Sequence, residues 1–141
     1  MNREDFELSV FTPYLLNQAA EQQSRVFSNT YKNLYGMLQT EWRVLFHLGR
    51  YGAMTAKEIS IRASIHKTKV SRAVRALEQK RFLGREVSHE DRRMERLTLR
   101  PAGQDAFNVL TAAAADYETA LATRLGPEDM KHLKRLLMAL A

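Results

Sequence analysis

HKTKVSRAVRALEQK, residues 66–80, is the stretch from which the rest of the chain is read. At about 100° per residue, Val70, Ala73, Val74 and Leu77 fall at i, i+3, i+4 and i+7 and make one apolar stripe. The spacing predicts a helix with that face packed inward. The same geometry sets Thr68, Arg72 and Arg75 in a row on the opposite side, flanked by Lys69 and Ser71, with no acidic residue before Glu78. Such a face is suited to an anion. A DNA major groove, about 12 Å wide, admits one α-helix, and Arg, Lys, Ser and Thr are side chains that read base edges or hold phosphates there. A merely solvated basic surface has the same composition, so the flanking sequence decides between the two.

Upstream, TAKEISIR opens with Thr55 and places Glu58 three residues later. That is the spacing of a capping box, in which each side chain satisfies the other residue's free backbone N–H. The short helix it starts ends near Ala63 and Ser64, and the basic helix begins almost at once. Two helices joined by a turn of a few residues, the second basic, are the pattern of a helix-turn-helix. Before them lies EWRVLFHLGRY, capped by Thr40 and ended by Gly52, with Trp42, Leu45, Phe46 and Gly49 on one side. After them, FLGREVS and ERLTLR show partial period-two alternation around the polar segment from His89 to Met94 and predict a β-hairpin. Its tip carries Asp91, Arg92 and Arg93. A hairpin beside a helix in the major groove can lay such a tip along the adjacent minor groove, whose negative potential attracts Arg.

The two ends read differently. Thr12 and Pro13 suit the N-cap and first position of a helix running to about Asn29. Residues 31–39, with Leu34, Tyr35 and Met37 around Gly36, fit either a short helix or a bent connection. Pro101 starts a long Ala-rich helix with Phe107, Leu110, Tyr117 and Leu121 recurring, and Gly126 and Pro127 stop it. The last helix sets Met130, Leu133, Leu137 and Leu140 opposite Lys131, Lys134 and Arg135. Terminal helices this apolar, beside so small a central lobe, predict an obligate dimer.

With 141 residues, one domain is expected. The net charge of +6 is unevenly placed: residues 57–100 hold 13 Lys+Arg against 6 Asp+Glu, a net of +7, and the remainder 9 against 10, a net of −1. Basic charge thus gathers around the basic helix. The absence of cysteine excludes disulfides, thiolate metal sites and thiol redox switching. His47, His66, His89 and His132 have no metal-ligand spacing, and neither metal nor cofactor is expected. The mixed-charge N-terminus, MNREDFELSV, has no signal or membrane-span pattern, so a cytoplasmic protein without membrane contact is expected. No phosphate loop or Ser/His/Asp pattern is present, which argues against an enzyme.

The order of parts, EWRVLFHL, then the helix-turn-helix, then SRAVRALEQKRFLGRE, then EDRRMERLTLRPAG, resembles the MarR family of bacterial transcription regulators. The specific likeness covers residues 40–103, and its clearest part is Asp-x-Arg at Asp91 and Arg93, followed by Leu97 and Leu99. One departure is Arg100-Pro101, where Thr often precedes the next helix. The resemblance implies a mainly α fold with a small β-hairpin wing. Residues 40–100 would form a winged helix-turn-helix lobe, and residues 1–39 and 101–141 would be dimerisation helices. It further implies a homodimeric repressor of double-stranded DNA with a pseudo-palindromic operator, released by a small effector such as an aromatic carboxylate or a phenol. In the family the Asp holds a wing arginine that enters the minor groove.

For DNA contact the sequence nominates Lys67, Thr68, Lys69, Ser71, Arg72 and Arg75, with Arg72 reading bases and Lys67 and Arg75 on phosphate, together with Asp91, Arg92 and Arg93. For an effector it nominates Trp42, Arg43 and His47, with Trp42 equally suited to the core and Arg43 to an ion pair. Two other readings fit the same residues: a sequence-blind architectural DNA-binding module, and a winged helix that meets a protein partner. Double-stranded RNA hides its major groove from a helix and is disfavoured.

Overall fold

The computed structural model describes residues 2–87, 89–91 and 94–141. Two 3-10 turns, Arg3–Asp5 and Leu8–Val10, lead into α1 (Thr12–Tyr35). Phe11 occupies the N-cap position, so Thr12 lies inside the helix and Pro13 in its first turn, where a missing N–H costs nothing. The helix passes well beyond Asn29 because Phe27 and Tyr31 pack into the core, and burial overrides weak local pattern. It ends at Gly36, whose left-handed φ of 63° lets its N–H donate back to the Lys32 carbonyl at 2.8 Å.

The second helix, α2 (Gln39–Tyr51), starts one residue before Thr40. Its start is fixed from inside: the carboxylate of buried Glu41 accepts the Leu38 backbone N–H at 3.0 Å. A two-residue strand, β1 (Met54–Thr55), precedes α3 (Ala56–Ala63). The expected capping box is present, with Glu58 N–H donating to Thr55 Oγ1 at 3.1 Å and Thr55 N–H to Glu58 Oε2 at 3.4 Å. Ser64 turns the chain at φ 53°, and α4 (Lys67–Gln79) follows.

Strands β2 (Leu83–Val87) and β3 (Glu95–Leu99) form the expected antiparallel hairpin, with Leu83 opposite Leu99 and Val87 opposite Glu95. Met54 of β1 pairs opposite Leu97, so the sheet has three strands in the order β1-β3-β2. Sequence pattern gave no sign of β1, since two residues cannot display a period. Helices α5 (Pro101–Leu125) and α6 (Pro127–Leu140) complete the chain.

The core sits under α4. Val44, Leu45 and Leu48 of α2, Ile59 of α3, Val70, Val74 and Leu77 of α4, and Leu83 and Leu97 of the hairpin are buried together. Each such side chain contributes about 1.5–3 kcal/mol on burial, and together they fix the outward face of α4. Ala106 and Leu110 of α5 join the same core. The ends of the chain bury far less: Met130 is the sole buried residue of α6, while Leu133, Leu136, Leu137 and Leu140 are exposed.

Candidate nucleic-acid interface and ligand groove

Burying Val70, Ala73, Val74 and Leu77 turns the other face of α4 outward. Lys67, Thr68, Lys69, Ser71, Arg72 and Arg75 are all exposed, and Glu78 is the first acid along the helix. His66 caps the helix, its ring Nδ1 accepting the Thr68 N–H at 3.2 Å. The remaining free N–H groups of that first turn add a partial positive charge next to Lys67 and Lys69. A helix end of this kind attracts phosphate before any side chain is counted.

Beside it stands the hairpin. Asp91 is exposed at its tip, and its carbonyl accepts the Met94 N–H at 3.0 Å. Arg92 and Arg93, nominated for the minor groove, lie outside the described residues. What the sequence reading missed is the brace between helix and hairpin. Arg85 of β2 donates through Nε to Glu78 of α4 and through Nη1 to Glu95 of β3, each at 2.8 Å. These hydrogen bonds, Glu78 first, raise the Arg85 pKa above its already high ordinary value, so the guanidinium keeps its charge.

The three effector candidates on α2 do not share one pocket. Arg43 donates through Nη2 to the Ala63 carbonyl, one of the free acceptors at the C-terminus of α3. His47 Nδ1 donates to the Arg43 carbonyl at 2.7 Å, since a carbonyl can only accept, and its ring leans on Phe46 and Tyr51. Trp42 alone lines a groove, of about 280 Å³, between α1, α2 and α5. Its ring stacks on buried Tyr31 with centroids 5.7 Å apart and meets Phe27 edge-on at 5.1 Å. Tyr117 of α5 closes the far wall and donates a hydrogen bond to Gln23. Burial pushes the Tyr31 and Tyr117 phenols up from the ordinary 10.0, so both are neutral donors near pH 7. Phe27, Tyr31 and Tyr117 were not nominated from sequence, because they reach Trp42 only through the fold.

A basic helix held by α3 across a short turn, with a hairpin braced against it, defines a winged helix-turn-helix lobe. The MarR family model matches residues 38–94, the segment that holds this lobe, and there the chain is similar to that family. It is 25% identical over 107 residues to the uncharacterized HTH-type transcriptional regulator YwaE of Bacillus subtilis (strain 168). That match takes in 76% of this chain and 63% of that protein. Two solved structures share the fold. BpsR of Bordetella bronchiseptica, whose DNA binding is regulated by 6-hydroxynicotinic acid, superposes with a TM-score of 0.85 at 20% identity, covering 96% of each chain. MepR of S. aureus in complex with DNA gives 0.81 at 19%, covering 92% of this chain and 95% of that one. Among the described residues, none cluster as metal ligands and no helix is long and apolar enough to cross a membrane.

Proposed function

We propose that this chain is a sequence-specific DNA-binding transcriptional regulator, a homodimeric repressor whose two α4 helices enter successive major grooves of a pseudo-palindromic operator. The observation that carries the reading is the outward face of α4, where six exposed basic and hydroxyl side chains lie together without an acid. Base reading falls to Thr68, Lys69, Ser71 and Arg72, and phosphate contact to Lys67 and Arg75. The hairpin tip, with Asp91, Arg92 and Arg93, lies along the neighbouring minor groove. MepR, which shares the fold, forms a DNA complex, and this supports the partner chosen.

Exposed apolar side chains at both ends support the dimer: Phe6, Leu8, Val10, Phe11 and Leu15 before and within α1, and Leu133, Leu136, Leu137 and Leu140 on α6. A monomer rarely leaves such patches to water. Two-fold symmetry then sets half-sites one helical turn, about 34–36 Å, apart. The chain carries out no catalysis in this reading.

Release belongs to a small aromatic molecule in the Trp42 groove. One wall comes from α2 of the DNA-binding lobe and the others from α1 and α5, so an occupant bridging them changes the angle between lobe and dimer helices. Couplings of this kind are worth about 1–3 kcal/mol. Regulation of BpsR by 6-hydroxynicotinic acid supports an aromatic effector.

Selection from a random duplex library tests the proposal. A two-fold symmetric motif with two chains bound per duplex is the expected result; recovery of no preferred sequence would overturn it in favour of sequence-blind binding.

A further inference from the structure

The groove between α1, α2 and α5 has a charge character that the aromatic-acid expectation does not fit. Four rings line it, those of Phe27, Tyr31, Trp42 and Tyr117, and Gln23, Ser24 and Gln39 add uncharged polar groups. Among the described residues, the one charged lining group is the Glu118 carboxylate, and no Lys or Arg lines this groove. A carboxylate placed here would face ring quadrupoles that are negative over their faces and would sit beside a second carboxylate. A cation gains from both.

The nearby bases do not reverse that balance. Lys134 Nζ pairs with Glu118 at 2.6 Å, but both side chains are about half exposed, and such pairs open at little cost. Arg25 and Lys32, two bases against the single acid Glu21, line an adjoining groove that shares Ser24, Tyr31 and Gln39 with the first. An acid would settle on that side of Tyr31, away from Trp42.

We propose that the Trp42 groove takes a small organic ammonium cation, held by the aromatic rings with Glu118 as its counter-charge. The inference rests on reading the groove as an effector site, and it differs from the family resemblance in the charge of the ligand. Glu118 exchanges Lys134 for the bound cation, while the aromatic side chains that line the groove surround it.

Trp42 is the one tryptophan of the chain, so its emission reports occupancy of the groove directly. The test titrates the full-length protein and its Glu118→Gln variant with phenyltrimethylammonium, benzoate and benzyl alcohol. Saturable change with the ammonium compound at about tenfold lower concentration than with benzoate, weakened several-fold in Glu118→Gln, is the expected result. Tighter saturation by benzoate or benzyl alcohol would overturn the charge assignment and leave the groove as an effector site. Linear, non-saturating quenching by all three, or equal response of the variant, would overturn the cation site. Absence of saturation with any probe would also remove the groove from the functional reading.

Discussion

Gly103 at the start of α5 lies directly against Phe82 at the start of the wing: a Cβ at position 103 would fall 1.9 Å from the Phe82 carbonyl oxygen. That carbonyl already accepts the Arg100 N–H at 2.9 Å, so neither backbone can retreat without breaking the junction between hairpin and α5. Gly103→Ala is therefore expected to destabilise the fold by about 3 kcal/mol, at the upper end of overpacking costs. Urea unfolding checks this through the midpoint. A shift no larger than that of Gln104→Ala next to it would contradict the packing described.

Arg85 ties α4 to both strands of the wing, yet its side chain is 40% exposed, and exposed ion pairs add about 0–1 kcal/mol to stability. Arg85→Gln is expected to leave the unfolding midpoint nearly unchanged while lowering affinity for a specific duplex several-fold, because the wing is no longer held at a fixed angle to α4. Affinity equal to wild type would show that the brace does not set the geometry of the DNA-binding face.

Arg43 satisfies the Ala63 carbonyl at the end of α3 and does not line the Trp42 groove. The loss of a charge-assisted hydrogen bond predicts that Arg43→Ala costs about 1.5–3 kcal/mol in stability with no change in ligand response at Trp42. Thermal unfolding and tryptophan emission, measured on one preparation, separate these effects. Loss of ligand response in a still-folded variant would return Arg43 to the effector site.

Tyr31 and Tyr117 both have pKa values raised above 10.0, chiefly by burial. A phenol whose folded pKa exceeds its unfolded one contributes stability that is complete below the unfolded pKa and is lost as pH rises through the folded one. Stability is thus expected to be flat from neutral pH to about 9 on account of these groups and to fall above 10. Tyr31→Phe should soften the alkaline loss, and an unchanged alkaline slope in that variant would show that Tyr31 contributes nothing to it.

Much of the lobe was legible because its signals are local. The stripe of Val70, Ala73, Val74 and Leu77, the Thr55 and Glu58 box, and the alternation ending in Leu97 and Leu99 each lie within one element, and each appears as read. Boundaries slipped where a distant contact decided them. Helix α1 runs past Asn29 because Tyr31 is buried against Trp42, and α2 begins before Thr40 because Glu41 reaches back to Leu38. The effector candidates show the same limit more sharply. Trp42, Arg43 and His47 are neighbours along α2, but a helix turns neighbours apart by about 100°, and the fold sends Arg43 to Ala63 and Trp42 to Phe27, Tyr31 and Tyr117. Partners from α1 and α5, far apart in sequence, leave no local pattern to read.

The central claim is that the exposed face of α4 reads bases, and Arg72 tests it most directly. Fluorescence anisotropy compares wild type and Arg72→Ala on a selected duplex and a scrambled one, at two salt concentrations. The account predicts a wild-type preference of about a thousandfold or more with steep salt dependence, and a loss of about 1–3 kcal/mol in the variant that falls mainly on the selected duplex. Equal loss on both duplexes would make Arg72 a phosphate contact, and equal wild-type affinity for both would contradict base reading by this helix altogether.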